Sequence, residues 1–104
     1  MLTYLPSSKQ PDPTAYESLS IGAVAVSLTA SLVTNANIIR VRFEDGPIRF
    51  RIDGMDPTPT EGLFAFDGDE RILLNTEAAK LKMIRTGATN GTARVVYYSA
   101  AQVK

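Results

Sequence analysis

The clearest order in this sequence is a period of two. In Ile39-Arg40-Val41-Arg42-Phe43, and again in Ile48-Arg49-Phe50-Arg51-Ile52, apolar side chains alternate with arginine. Successive side chains of a strand point to opposite faces, so each run predicts a strand with one buried face and one wet face. Glu44-Asp45-Gly46-Pro47 separates the two runs. The pattern therefore predicts a β-hairpin with an apolar face and a cationic face. A two-residue Asp45-Gly46 turn would set Arg42 opposite Arg49 and Arg40 opposite Arg51. Pro47 lacks the N–H that so tight a turn uses, and a longer loop with a two-residue shift keeps the parity and the arginine cluster.

The rest of the chain divides in the same way. Residues 1–15 read as an extended arm. Ser7-Ser8-Lys9-Gln10-Pro11-Asp12-Pro13 has no apolar period, and its prolines favour an extended path. Ahead of it, Leu2, Tyr4 and Leu5 are the residues with which the arm would dock on a neighbouring subunit, a frayed terminus being the alternative. Ala23 to Leu28 predicts a strand with Val24, Val26 and Leu28 on one face, followed by a turn at residues 34–37. Two prolines and two glycines make residues 53–62 a loop. Short strands follow at 63–66 and 70–74, joined by Asp67-Gly68-Asp69. A single helical turn fits residues 75–80, with Asn75 or Thr76 as its cap. Strands at 81–86 and 92–98 flank a hairpin loop at 87–91, whose strongest turn signal is Asn90-Gly91. Phe43, Phe50, Phe64 and Phe66 read as core, while Tyr97 and Tyr98 must point to opposite faces.

Seven to eight short strands with turns every 8–12 residues argue an all-β protein. The expected architecture is a single small β-sandwich or jelly-roll-like barrel over residues 16–104, preceded by the arm.

Composition narrows the chemistry. The 104 residues suffice for one domain, and 11 basic residues balance 11 acidic ones. Nothing in that balance draws the chain to nucleic acid or to an anionic membrane. There is no cysteine and no histidine. Disulfides and thiolate metal sites are excluded, and the commonest general base and metal ligand are missing. No phosphate-cradling glycine motif occurs. No enzyme activity and no cofactor are expected. Neither a signal peptide nor a membrane-spanning run is apparent, which predicts a soluble chain made in the cytoplasm.

Two groups of charged residues remain. Asp53, Asp56, Asp67, Asp69 and Glu70 lie in or beside loops and read as turn formers that also neutralise arginines. Arg40, Arg42, Arg49 and Arg51 form the expected partner-binding face. Like charges opposite one another across strands are destabilising, so an anion should meet them. That anion can be Asp53, Asp56 or Asp69 folding back, or a carboxylate surface on a neighbouring subunit. Nucleic acid fits poorly, because no aromatics interleave with the arginines.

From Arg40 to Tyr98 the chain resembles a widespread group of short tailed-bacteriophage proteins encoded among virion genes. The resemblance rests on Val41-Arg42-Phe43-Glu44-Asp45-Gly46-Pro47-Ile48-Arg49-Phe50-Arg51, on Asp53-Gly54 with Pro57-Thr58 and Gly62, and on Gly68-Asp69-Glu70. It continues in Ile84-Arg85-Thr86-Gly87-Ala88-Thr89-Asn90-Gly91-Thr92-Ala93-Arg94-Val95-Val96-Tyr97-Tyr98. It implies a virion structural protein, foremost a capsid decoration or cement subunit, that self-associates as a homo-oligomer and binds the major capsid protein or neck and tail subunits. A head–tail or tail piece, or a host-surface or glycan-binding module with a pocket of Tyr97 or Tyr98 and the 53–62 loop, are the alternatives. The glycine and proline spacing also resembles that of cupins, but the cupin metal-binding histidines are absent, so no cupin chemistry follows.

Overall fold

The computed structural model of the chain describes residues 12–99. Its elements, in order, are β1 (Asp12–Ile21), β2 (Val26–Ser27), α1 (Ala30–Thr34), β3 (Ile38–Glu44), β4 (Ile48–Arg51), β5 (Leu63–Ala65), β6 (Glu70–Leu74), α2 (Asn75–Ala79), β7 (Lys82–Arg85) and β8 (Gly91–Ser99). They form two four-stranded sheets of order β1-β8-β3-β6 and β2-β7-β4-β5. Every pairing is antiparallel. The expected all-β sandwich is therefore the architecture of this chain. Its pairings are nested: β4 with β5, β3 with β6, β2 with β7 and β1 with β8. One long antiparallel ribbon has been rolled up, which is the jelly-roll plan.

The alternation in β3 and β4 does what two-period patterns do. Ile39, Val41 and Phe43 of β3 and Ile48 and Phe50 of β4 are buried. The strands are not a hairpin, however. β3 pairs with β6 and β8, and β4 with β5 and β7. The chain crosses from one sheet to the other through Asp45-Gly46-Pro47, with Asp45 at φ 75°. Phe43 and Phe50 consequently meet face to face across the sandwich, their ring centroids 5.3 Å apart. Phe43, Phe50, Tyr97, Ile21, Ile39, Ile48, Leu81 and Met83 are the bulk of the core. Each such side chain stabilises by about 1.5–3 kcal/mol on leaving water.

Four further expectations change. β1 begins at Asp12 and runs beside β8 to Ile21, with a register shift between Pro13 and Ala15, so strand starts within the stretch read as arm. The strand expected over Ala23–Leu28 shrinks to Val26–Ser27, and Val24 is 78% exposed. Residues 87–90 do not close a hairpin, since β7 and β8 lie in different sheets. Phe66 is not core but 63% exposed, stacked edge-on against Phe64.

The two short helices plug one end of the sandwich. Val33 of α1 and Ala78 of α2 are buried. Leu74, not Asn75 or Thr76, is the N-cap of α2, and its N–H is taken by the Glu77 carboxylate at 2.8 Å. The Asn75 amide instead donates to the carbonyls of Val33 and Ala36, at 2.6 and 2.9 Å. It thereby ties the start of α2 to the turn after α1, where the Val33 carbonyl also accepts the Ala36 N–H at 3.1 Å.

Candidate functional surface

The outer face of the β1-β8-β3-β6 sheet carries the side chains of opposite parity to the core. The register sets them in rows across the strands. Pro13 stands opposite Tyr98, and Ile38 opposite both Tyr98 and Leu74. The next row is Tyr16, Val96, Arg40 and Ile72, and the one after is Ser18, Arg94, Arg42 and Glu70. Glu44 follows, opposite Thr92. The face is thus graded, apolar at the end where β1 starts and charged towards the middle.

The apolar end lies open. Ile72 is 69% exposed, Leu74 60% and Tyr16 57%. Ile38, Arg40, Ile72 and Tyr98 enclose a shallow depression of about 260 Å³. Isolated exposed apolar side chains are ordinary, but several sharing one end of one sheet mark a contact surface.

The charged rows form a ladder. Glu70 accepts Arg40 Nε and Nη2 at 3.0 and 2.9 Å and Arg42 Nη1 at 3.3 Å. Glu44 accepts Arg42 Nε at 2.9 Å and Arg94 Nε at 2.6 Å. Arg94 also donates to the Tyr16 hydroxyl at 3.2 Å and to Ser18 Oγ at 3.4 Å. The hydrogen bond from Arg40 holds the Glu70 carboxyl below its ordinary range, and Arg94 does the same for Glu44, each against a smaller opposing effect of desolvation. Three guanidiniums against two carboxylates leave the ladder with an excess positive charge. Such exposed pairs add little to stability, so the ladder mainly fixes where charge is displayed.

Two outward backbone groups near the ends of the edge strand β6 are engaged. Arg71 Nη1 sits on the Glu70 carbonyl at 2.9 Å, and Glu77 holds the Leu74 N–H. Both groups lie outside the ladder with β3, and engaging them blunts the edge against strand addition.

Of the arginines expected to act together, Arg40 and Arg42 stand here. Arg49 and Arg51 lie on β4 in the other sheet, so the predicted four-arginine cluster does not form. Its reason was the hairpin, and the hairpin is absent. Arg49 clamps its own loop, donating to the carbonyls of Pro59 at 3.2 Å and Gly62 at 2.8 Å, with its guanidinium 5.0 Å over the Phe64 ring. Gly62 has φ 134°, and a β-carbon there would lie 3.2 Å from the Pro57 β-carbon and 3.1 Å from the Phe50 carbonyl, so only glycine suits this close return. Arg51 pairs twice with Asp53, at 3.0 and 2.5 Å, while Asp56 pairs with Lys82 at 3.2 Å. Of the three carboxylates expected to fold back on the arginine face, Asp53 alone pairs with one of its arginines, and Glu70, also read as neutralising arginines, does so with Arg40 and Arg42. Asp69 accepts the Phe66 N–H within its own turn. Glu44 and Glu70 carry most of that task. Glu44 lies outside that expectation: it has outward strand parity, but Arg94 is brought beside it only by the pairing of β3 with β8.

Asp45 and Asp67 hold a turn. The Asp45 N–H donates to Asp67 Oδ1 at 3.0 Å, and Thr92 Oγ1 donates to the Asp45 carboxylate at 2.6 Å. Among the described residues, no group of three His, Cys, Asp or Glu could hold a metal ion, and no helix is long and apolar enough to cross a membrane. The pocket expected from Tyr97 or Tyr98 with the 53–62 loop is not assembled. Tyr97 is buried in the core, and Tyr98 lies on the sheet opposite to β4, whose Arg49 carries that loop. The loop borders its own depression of about 350 Å³, lined by Arg51, Ile52, Asp53, Glu61, Gly62 and Leu63. Leu2, Tyr4 and Leu5 lie outside the described residues.

Comparison with protein-family models, with curated proteins and with solved structures found no match to this chain.

Proposed function

We propose that this protein is a non-enzymatic virion structural protein, a capsid decoration or cement subunit of a tailed bacteriophage. It attaches to neighbouring virion proteins through the outer face of the β1-β8-β3-β6 sheet. The observation that carries the reading is the graded face itself. Exposed Ile72, Leu74 and Tyr16 adjoin an ordered Arg40–Glu70–Arg42–Glu44–Arg94 ladder. An apolar patch beside fixed charge is what a specific protein contact uses: the apolar part supplies affinity and the charges set register. A jelly roll hosts many functions, so the fold adds only compatibility. The virion assignment draws its support from the resemblance over residues 40–98.

The test is quantitative mass spectrometry of virus particles carrying this gene, with copies counted against the major capsid protein. Hundreds of copies support a lattice role. About six or twelve would move the protein to the neck or tail, and its absence would sink the virion reading. Ile72→Glu with Leu74→Glu should strip it from particles, whereas Arg49→Glu, on the other sheet, should not.

A second reading, a glycan-binding module, is favoured by the depression beside the 53–62 loop and by the exposed Phe66 on Phe64. A glycan array separates it from the first: selective binding lost in Phe66→Ala would support it.

A further inference from the structure

The sheet edges of this fold are not alike. The edge strands β2 and β5 are two and three residues long. The edge strand β6 has its outward Glu70 carbonyl taken by Arg71 and its Leu74 N–H by Glu77. β1 runs for ten residues beside β8, and no strand among the described residues lies on its other side. The register shift between Pro13 and Ala15 disturbs its beginning, and from Ala15 to Ile21 the pairing is regular. It contains no lysine, the residue that most often guards such an edge.

Hydrogen bonding across the sheet fixes which backbone groups of β1 are open. The Phe43 N–H donates to the Asp69 carbonyl on the β6 side at 2.8 Å, so odd-numbered residues of β3 bond β6 and even-numbered ones bond β8. The register then turns Ala93, Val95 and Tyr97 of β8 towards β1, and Glu17 and Leu19 of β1 towards β8. The Thr14 hydroxyl, which donates to the Tyr97 carbonyl from β1, agrees. Tyr16, Ser18 and Ser20 therefore direct their N–H and C=O groups away from the sheet.

We propose that this edge pairs with the same edge of a second copy of the chain, antiparallel about a two-fold axis at Ser18. Ser18 then faces its own counterpart, and Tyr16 faces the counterpart of Ser20. All three open residues fall in hydrogen-bonded pairs, each N–H meeting a C=O, so the edge is its own complement. Moving the axis one residue towards the N-terminus would set Glu17 against its counterpart, two like charges directly opposed. Moving it one residue the other way would set Tyr16 against Gly22, past the end of β1. At Ser18 the axis brings together only uncharged side chains on the outer face. Pairing of like edges closes on itself as a dimer. Adding β6 of another copy instead would meet backbone already held by Arg71 and Glu77. The pair joins two β1-β8-β3-β6 sheets into one and lays their graded faces side by side. It uses the backbone of β1 and not the Ile72 and Leu74 patch, and it is independent of the virion reading. So short an edge makes a weak, reversible pair.

Sedimentation equilibrium of the full chain, from micromolar to millimolar, tests this. The natural chain should pass from monomer to dimer. Ser18→Pro lacks only an N–H on the open side, so it should pair at least tenfold more weakly at an unchanged melting temperature. Ser18→Lys and Ser18→Glu, should the proline perturb the strand, each put like charges at the axis and should pair about threefold more weakly or worse. Mixed one to one, these two should pair at least as tightly as the natural chain. Ile72→Glu with Leu74→Glu should pair undiminished. A natural chain that stays monomeric, a trimer or an open polymer, or a Ser18→Pro chain that pairs undiminished would each overturn the proposal. So would a Lys and Glu mixture no tighter than its parts, or loss of pairing in the Ile72 and Leu74 variant. None of these measurements counts copies on particles, so the virion reading stands or falls separately.

Discussion

The hydroxyl of Tyr97, at the inner face of β8, donates to the carboxylate of Glu17 on β1. The same carboxylate accepts the backbone N–H and the hydroxyl of Thr29, at 3.1 and 2.6 Å, just before α1. One acidic side chain thus ties two neighbouring strands to the cap of the helical end. Burial pushes the Tyr97 phenol up, and the adjacent Glu17 charge pushes it further in the same direction. Removing only the hydroxyl, in Tyr97→Phe, keeps the ring in the core and deletes one hydrogen bond to a charged group. The expected loss is about 1.5–3 kcal/mol by urea unfolding, with an unchanged m-value. A loss under a few tenths would show that Thr29 alone holds Glu17.

Glu17 also sets a pH dependence. Burial raises its pKa, but the hydrogen bonds from Thr29 and Tyr97 outweigh burial and leave it below the ordinary value of 4.5. A group whose folded pKa is depressed contributes stability above its unfolded pKa and loses it as pH falls through the folded value. Glu44 and Glu70 act in the same direction, and Asp53 is drawn to about 2 by Arg51 and the Met55 N–H. The melting temperature should therefore be level above about pH 5 and decline from there towards pH 2. Glu17→Gln should lower the plateau and flatten the decline, so that the two curves converge in acid. Parallel curves would exclude Glu17 as a source.

Gly91 opens β8 directly over Ile48. A β-carbon on Gly91 would lie 2.6 Å from Ile48 Cδ1 and 2.8 Å from Cγ1, and Ile48 is fully buried. Gly91→Ala should cost about 1–3 kcal/mol by overpacking. Ile48→Val alone should cost about 0.5–1.5 kcal/mol. Combined, they should cost less than their sum, because the Cδ1 methyl removed is the nearer of the two clashing atoms. Strict additivity in the double-mutant cycle would refute this account of the glycine.

Arg49 and Arg40 look alike in sequence but should behave differently. Arg49→Ala removes two hydrogen bonds to loop carbonyls, so amide exchange across residues 53–62 should accelerate and stability should drop by about 1–3 kcal/mol. Arg40→Ala breaks an exposed pair with Glu70 and should cost under about 1 kcal/mol. Hydrogen exchange with mass spectrometry distinguishes the two, and equal protection of the loop in both variants would remove the clamp assigned to Arg49.

What was legible in the sequence was parity. Alternation in 39–43 and 48–52 correctly identified Ile39, Val41, Phe43, Ile48 and Phe50 as inward. It could not identify the sheet. Two strands that pair in one sheet and two that face each other across a sandwich bury the same alternate residues. Pro47 was the one local sign against a tight hairpin, and the crossing at Asp45-Gly46-Pro47 follows it. The error propagated to the arginines, since only sheet membership separates Arg40 and Arg42 from Arg49 and Arg51. Phe66 misled for a related reason: shared parity with Phe64 implied burial, yet Phe66 lies past the end of β5, and Phe64 itself faces outward beside Arg49. Glu17 escaped notice because nothing local marks an inward-facing carboxylate, and its partners Thr29 and Tyr97 are brought to it by long-range pairing alone.

The nesting of the four strand pairs favours closing the near pairs before the distant ones. β4 and β5 are neighbours along the chain and can close first, whereas β1 and β8 join nearly opposite ends of the described sequence. Each closure shortens the loop that the next must close, so the entropy of ordering is spread over successive steps. So high a contact order still makes for slow folding, in milliseconds to seconds. The widest of these closures is that of β1 on β8, and it completes the sheet that carries the graded face.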